Sequence, residues 1–229
     1  MMQKKVQIIS DGSLDLSQEL TKEKDIEVVP FYVSFDSETY QKEMVEVGVR
    51  EFYQEMVDHP TVFPKTSMPS VHDYYEVFEK HAKEKMPVIC ICITRKFSGS
   101  LQSATTAKDM ILEEYPDAQI TVIDSTVNTV LQGLYVLEAC RLRDMGLEYQ
   151  QIVDALLPIR ETGRIFFTIG SIDYLKHGGR IGRLAGIAAS ALKIKPVMGS
   201  TDEGAICQLD QARGMKKALV KMAQNIVDK

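Results

Sequence analysis

Short apolar runs alternate with amphipathic stretches along most of the chain. Val6-Gln-Ile-Ile9 predicts a first strand, and Ser10-Asp-Gly-Ser13 after it suits a turn and a helix cap before a helix over 14–22. A second extended run, 26–35, carries Pro30 near its middle, where the missing N–H calls for an edge, a bulge or a break. Helical spacing follows over 49–57 and 71–85, with Ser70 placed to start the latter. The run 88–93 predicts a strand that opens into Thr94-Arg-Lys-Phe-Ser-Gly-Ser100 and then a helix over 101–114. A strand over 120–123 and helices over 130–143 and 149–159 complete this series. Strands alternating with helices of this length read as an α/β fold with a mainly parallel sheet and helices on both faces.

Gly163 and a strand over 164–169 begin what reads as a second, smaller α/β lobe, with the boundary near Glu161 and lobes of 1–160 and 161–229. A helix over 181–192 carries Ile181, Leu184, Ile187, Ala188, Ala191 and Leu192 at helical spacing, with Gly186 among them. That pattern fits an ordinary core helix or one that lines an apolar ligand tunnel.

Composition narrows the function classes. With 45% hydrophobic residues in 229, the chain can bury a substantial core. A net charge of −5 with scattered lysines disfavours a nucleic-acid partner, which needs a concentrated basic surface. No segment reads as a signal peptide or approaches the roughly 20 apolar residues of a span, so no stable membrane insertion is expected and the location is read as cytoplasmic. Cys90 and Cys92 alternate onto one strand face, Cys140 sits in a helical pattern and Cys207 in a short strand-like run. With no C-x-x-C or H-E-x-x-H spacing, the expectation is reduced core thiols and no metal.

Two hydroxyl-rich segments are candidates for chemistry. Ser98-Gly-Ser100 lies between a strand and a helix, where hydroxyls and backbone N–H groups face the carboxyl edge of the sheet, a common anion site in open α/β folds. A plain cap or turn uses the same residues. Thr66-Ser67, within Pro64-Lys-Thr-Ser-Met-Pro-Ser70, supplies more hydroxyls from a segment that two prolines keep out of helix and that reads as a loop.

These motifs, taken in order, resemble the DegV family of fatty-acid-binding proteins. Ile8-Ile-Ser-Asp-Gly-Ser-Leu-Asp-Leu16 is similar to a D-S-T-x-D-L start, Ile26-Glu-Val-Val-Pro-Phe31 to the next strand, and Pro64 to Ser70 to K-T-S-Q-P-S. Phe97-Ser-Gly-Ser100 is similar to L-S-G-T, Val122-Ile-Asp-Ser125 to a later strand end, and Ile172-Asp-Tyr-Leu-Lys-His-Gly-Gly-Arg-Ile-Gly182 to L-D-Y-L-K-x-G-G-R-I-G. The resemblance implies a two-lobed fold that holds a long-chain fatty acid between its lobes, with the carboxylate at Thr66, Ser67, Ser98, Gly99 and Ser100. It implies a carrier without cofactor or catalytic residue, which presents the acid to a separate ATP-dependent fatty acid kinase for acyl-phosphate formation in phospholipid synthesis. Arg180 and Arg213 resemble family arginines that meet the phosphate or the kinase, tasks that suit a planar guanidinium.

The chain departs from the family pattern at Gly12, usually serine, and at Ser100, often threonine. Family members also continue past the equivalent of Lys229 with a strand, a helix and a closing strand carrying a histidine and a G-P-G-type motif, so the second lobe is expected to be incomplete. His59, His72, His81 and His177 lie outside that motif and read as surface or packing residues. A serine hydrolase or acyltransferase is the first alternative, but Lys96-Phe-Ser-Gly-Ser100 lacks G-x-S-x-G spacing. The S-x-x-K match at Ser190-Ala-Leu-Lys193 lacks its companion elements. A small polar ligand such as a triose is the second, because the family fold resembles dihydroxyacetone kinase subunits.

Overall fold

A computed structural model describes residues 6–180 and 194–227. In chain order the strands are β1 (Gln7–Asp11), β2 (Ile26–Val29), β3 (Tyr32–Ser34), β4 (Gln41–Lys42), β5 (Lys65–Ser67), β6 (Val88–Cys92), β7 (Ile120–Asp124), β8 (Phe166–Thr168), β9 (Ile194–Ser200) and β10 (Ile206–Arg213). The helices are α1 (Gln18–Glu23), α2 (Val49–Asp58), α3 (Val71–Lys83), α4 (Ser100–Glu114), α5 (Thr129–Asp144), α6 (Tyr149–Arg160), α7 (Asp173–His177) and α8 (Met215–Val227).

The central sheet has the order β2-β1-β6-β7, and every neighbouring pair in it is parallel. Helices cover both faces of this sheet, and the two-residue period sends alternate side chains to different cores. Ile8, Ile89 and Ile91 join Val136, Ala139, Ile152 and Leu156 of α5 and α6. Ile9, Val88, Cys90 and Cys92 join Tyr74, Phe78, Ala104, Ala107 and Ile111 of α3 and α4. The small Ala104 and Ala107 let α4 approach closely. Cys90, Cys92 and Cys140 are buried free thiols and Cys207 is half-buried.

Pro30 breaks its run as expected: β2 stays in the parallel sheet, and β3 leaves for a small antiparallel sheet of order β4-β3-β5. The helix expected over 14–22 is split. A 3-10 turn at Gly12–Leu14 ends where Asp15 adopts a left-handed φ of 49°, and α1 begins only after Ser17, whose side chain accepts from Leu20 N. Lys65–Ser67, expected as a loop, is strand β5, with Val33 opposite Thr66 and Tyr32 opposite Ser67. Three exposed residues between Pro64 and Met68-Pro69 carry too little apolar alternation to announce a strand; their pairing comes from β3.

Ser70 caps α3 with a reciprocal box: Asp73 N donates to Ser70 Oγ at 3.1 Å and Ser70 N donates to Asp73 Oδ2 at 2.8 Å. Ser70→Ala should lower stability by about 1 kcal/mol. The check is a shift of the urea midpoint at unchanged slope; an unmoved midpoint would mean that water replaces the cap without loss.

A second antiparallel sheet, β10-β9-β8, carries a register shift between Gln208 and Asp210. Met198 and Ile206 of this sheet pack with Phe167, Leu175 and Phe97, the last from the loop after β6. Thr94 Oγ1 in the same loop donates to Gly204 O, in the β9–β10 turn, at 3.1 Å. The molecule is thus mixed α/β, with a helix-covered parallel sheet and smaller antiparallel sheets. The helix expected over 181–192 lies outside the described residues. Among the described residues no helix is long and apolar enough to cross a membrane.

Candidate functional site

In the parallel sheet β1 is flanked by β2 on one side and β6 on the other, so the connections leaving their carboxyl ends diverge there. Such a switch point opens a crevice at the carboxyl edge of an α/β sheet. Asp11 ends β1 at this place, fully buried, and its carboxylate gathers donors from four directions. Oδ2 accepts from Ile93 N at 3.0 Å and from Ser100 Oγ at 2.7 Å. Oδ1 accepts from Gln132 Nε2 at 2.9 Å, Ser13 Oγ at 2.8 Å and Ser13 N at 3.3 Å. One side chain thereby ties together β1, the turn after it, the end of β6, α4 and α5.

The same network assigns the proton of Ser100. Its hydroxyl is fully buried and gives its single hydrogen to Asp11, so the Tyr74 O–H, 2.6 Å away, is the donor to Ser100 Oγ. Burial raises the Tyr74 phenol well above its ordinary pKa, which keeps that donor in place. The Cys90 thiol and burial likewise hold Cys92 far above the usual thiol range. Cys92 is therefore inert packing rather than a nucleophile.

Ser98 differs from Ser100. It is 7% exposed, and its Oγ accepts from Ser100 N at 3.2 Å, which leaves its own O–H to donate elsewhere. Gly99 is the N-cap of α4 and supplies no side-chain cap. Thr66 and Ser67 are exposed on β5, and the two hydroxyl segments touch through Met68: a Cβ built on Gly99 would lie 2.5 Å from Met68 Sδ. The side chain that follows β5 therefore rests on the backbone that opens α4, and a larger residue at Gly99 would oblige Met68 to shift.

The two arginines lie elsewhere. Arg180 follows α7, and its Nη1 donates to Gly178 O at 2.6 Å; Arg213 is the last residue of β10, opposite Ile194. No bond joins either to the hydroxyl segments among the described residues. The motif before Arg180 does reach the segment leading into β5: the His177 ring stacks on Phe63 with centroids 3.8 Å apart and an interplanar angle of 5°, and Tyr174 meets the Phe63 ring at 5.1 Å. The other histidines sit beside carboxylates: His59 with Glu55, His72 with Glu76 and the buried His81 with Glu27.

Gly12 has a local reason. A Cβ there would collide with Glu43 Oε1, which accepts from Phe31 N at 3.1 Å. Burial pushes the Glu43 carboxyl above its ordinary value, the Phe31 N–H opposing it, with the nearby Asp11 and Asp15 charges adding to the rise. Asp11, Tyr74 and Gln132 were not singled out from sequence. Asp11 stands inside the motif Ile8 to Leu16, but its signal, a carboxylate ending an otherwise apolar strand, was the one available clue.

Comparison with known proteins gives a consistent result. Residues 5–229 match the family model described as "Uncharacterised protein, DegV family". A DegV domain-containing protein of Clostridium perfringens is 31% identical over 219 residues, which span 96% of this chain and 76% of that protein. Among solved structures, a fat acid (stearic acid)-binding protein from Eubacterium ventriosum superposes with a TM-score of 0.89 at 44% identity, over 96% of this chain and 75% of the other. A DegV-family protein from Ruminococcus gnavus, described with vaccenic acid, superposes with a TM-score of 0.85 at 30% identity, over 97% and 78%.

Proposed function

Because the chain belongs to the DegV family, we propose that it is a cytoplasmic carrier that binds a long-chain fatty acid between two lobes, 1–160 and 161–229, and presents the carboxylate to a separate ATP-dependent fatty acid kinase. The observation that carries this reading is the likeness to the stearic-acid-binding protein of Eubacterium ventriosum. The chemistry of the hydroxyl segments supports it. A carboxylate needs donors that are not already committed: Ser98 retains its O–H, Thr66 is exposed on the segment that touches Gly99, and Ser67 gives up only a long 3.5 Å bond to Met68 O. In this reading Ser100 shapes the loop through Asp11 and Tyr74 rather than bonding the acid through its hydroxyl. Arg180 and Arg213 serve the phosphate product or the kinase surface.

Affinity resides in the tail. Each buried methylene contributes about 0.8 kcal/mol, about 11 for fourteen before ordering costs. A hydrogen bond to the carboxylate adds only about 1.5–3 kcal/mol. Ser98→Ala should therefore keep most of the lipid binding while sharply reducing acyl-phosphate formation with a cognate kinase. Undiminished turnover would remove Ser98 from the site. The reading as a whole is tested by native mass spectrometry of freshly purified protein. A one-to-one adduct with the mass of a long-chain acid is the expected result; absence of an adduct, with no uptake of added oleate or palmitate, overturns it.

A further inference from the structure

A second cavity, away from the hydroxyl segments, lies between α5, the end of α6 and the 161–163 linker, with a volume of about 240 Å³. One side is apolar, made by Val127, Leu131, Leu134 and Ile159. The polar groups around it are, with one exception, already satisfied within the protein. Ser125 Oγ donates to Val127 O at 3.0 Å, Tyr135 O–H to Leu156 O at 2.8 Å and Thr162 Oγ1 to Ile159 O at 2.8 Å. The Glu138 carboxylate is held by both Nε and Nη2 of Arg141 at 2.7 Å. The exception is Arg160, whose Nε is buried without a protein acceptor and whose Nη1 makes a long 3.4 Å contact with Asp124 O. Among the described residues Arg160 has no acidic partner: the Asp124 carboxylate is turned to Arg95 and to Thr126 N instead.

Arg160 lines the cavity partly buried and, among the described residues, without a carboxylate partner, and its guanidinium presents a planar fork matched to a carboxylate. We propose that this cavity is a binding site for a small apolar monocarboxylate, separate from the long-chain fatty acid site, with the carboxylate on Arg160 and the tail against Leu131, Leu134 and Ile159. At about 240 Å³ the cavity is below the roughly 300–1,000 Å³ of sites for drug-sized ligands, which restricts it to a short-chain acid. The surrounding hydroxyls offer no spare donor for a more hydrated anion, and the apolar wall favours a tail.

Titration calorimetry with hexanoate tests this on protein first saturated with stearate, so that any long-chain site is filled. Saturable one-to-one binding is expected, weakened about 10- to 100-fold by Arg160→Gln and less by Arg160→Lys, which keeps the charge but not the fork. Leu131→Phe, which enlarges a side chain in the wall, should also abolish hexanoate binding while leaving stearate uptake unchanged. Hexylamine, with the same tail and no anion, should not bind. The proposal is overturned if hexanoate does not saturate, if hexylamine binds equally well, or if Arg160→Gln binds like the parent. Should Arg160→Gln fail to fold, unaltered binding in both Arg160→Lys and Leu131→Phe overturns it.

Discussion

Replacing Asp11 by alanine should cost about 3–5 kcal/mol of folding stability, more than any other single polar change around the candidate site. The carboxylate is the common acceptor of Ser13, Ile93, Ser100 and Gln132, of which the last three are buried and Ser13 is half-buried. Each donor left unpaired there costs about 1–3 kcal/mol. The full sum is not reached, because Ser13 Oγ also lies 2.5 Å from Gln132 Oε1 and can donate there instead. Relief from burying a carboxylate offsets part of the remainder. Asp11→Asn should fall between, since its amide group brings donors to a point on which donors already converge. Urea unfolding measures both variants. A midpoint for Asp11→Ala displaced by less than the equivalent of about 1 kcal/mol would show that the network contributes geometry but little stability.

Gly204→Val should have the second largest effect, at the contact between the β9–β10 turn and the loops of the parallel sheet. Gly204 has a φ of 82°, and a Cβ there would lie 2.6 Å from Thr126 O while also meeting Thr94 Oγ1. A β-branched residue in that conformation carries about 1–3 kcal/mol of strain, and the collision with backbone adds about as much again. The turn can escape by undocking, which exposes Thr94 and Phe97. The expected result is therefore faster amide exchange in 94–97 and a lowered melting temperature. Gly179→Ala is the control, because its φ of 72° imposes strain where a Cβ meets no neighbour within 4 Å. If Gly204→Val and Gly179→Ala behave alike, the contact with Thr126 has no special weight.

Much of this architecture was legible in the sequence, and the exceptions have physical causes. The runs that became β1, β6 and β7 carry apolar residues for both cores because helices cover both faces of the sheet. Pro30 signalled its own break. The small sheet was not legible: β4 has two residues and β5 three, and both take their extended form from β3 rather than from local alternation. The 14–22 region failed for a different reason. The spacing of Leu16 and Leu20 suits a helix, but left-handed Asp15 and the Ser17 cap start it later.

At the candidate site, Ser98 and Ser100 were visible together as hydroxyls beside a strand end, yet their roles divide by partners that lie far off in sequence. Tyr74 and Asp11 meet Ser100, and Gln132 meets Asp11, only after the sheet and its helices assemble. Spacing in the chain carries no information about which of two serines gives its proton away. The approach of Met68 to Gly99 is equally a product of tertiary structure.

The Asp11 hub also divides the crevice mechanically. Its four partners belong to the end of β6, α4, α5 and the turn after β1, so that wall moves as one body with the central sheet. The opposite wall is a light arm: β5 is exposed, three residues long and bonded to a β3 of equal length. Compliance therefore resides in the arm that carries Thr66, Ser67 and Met68, and stiffness in the wall that Asp11 ties together.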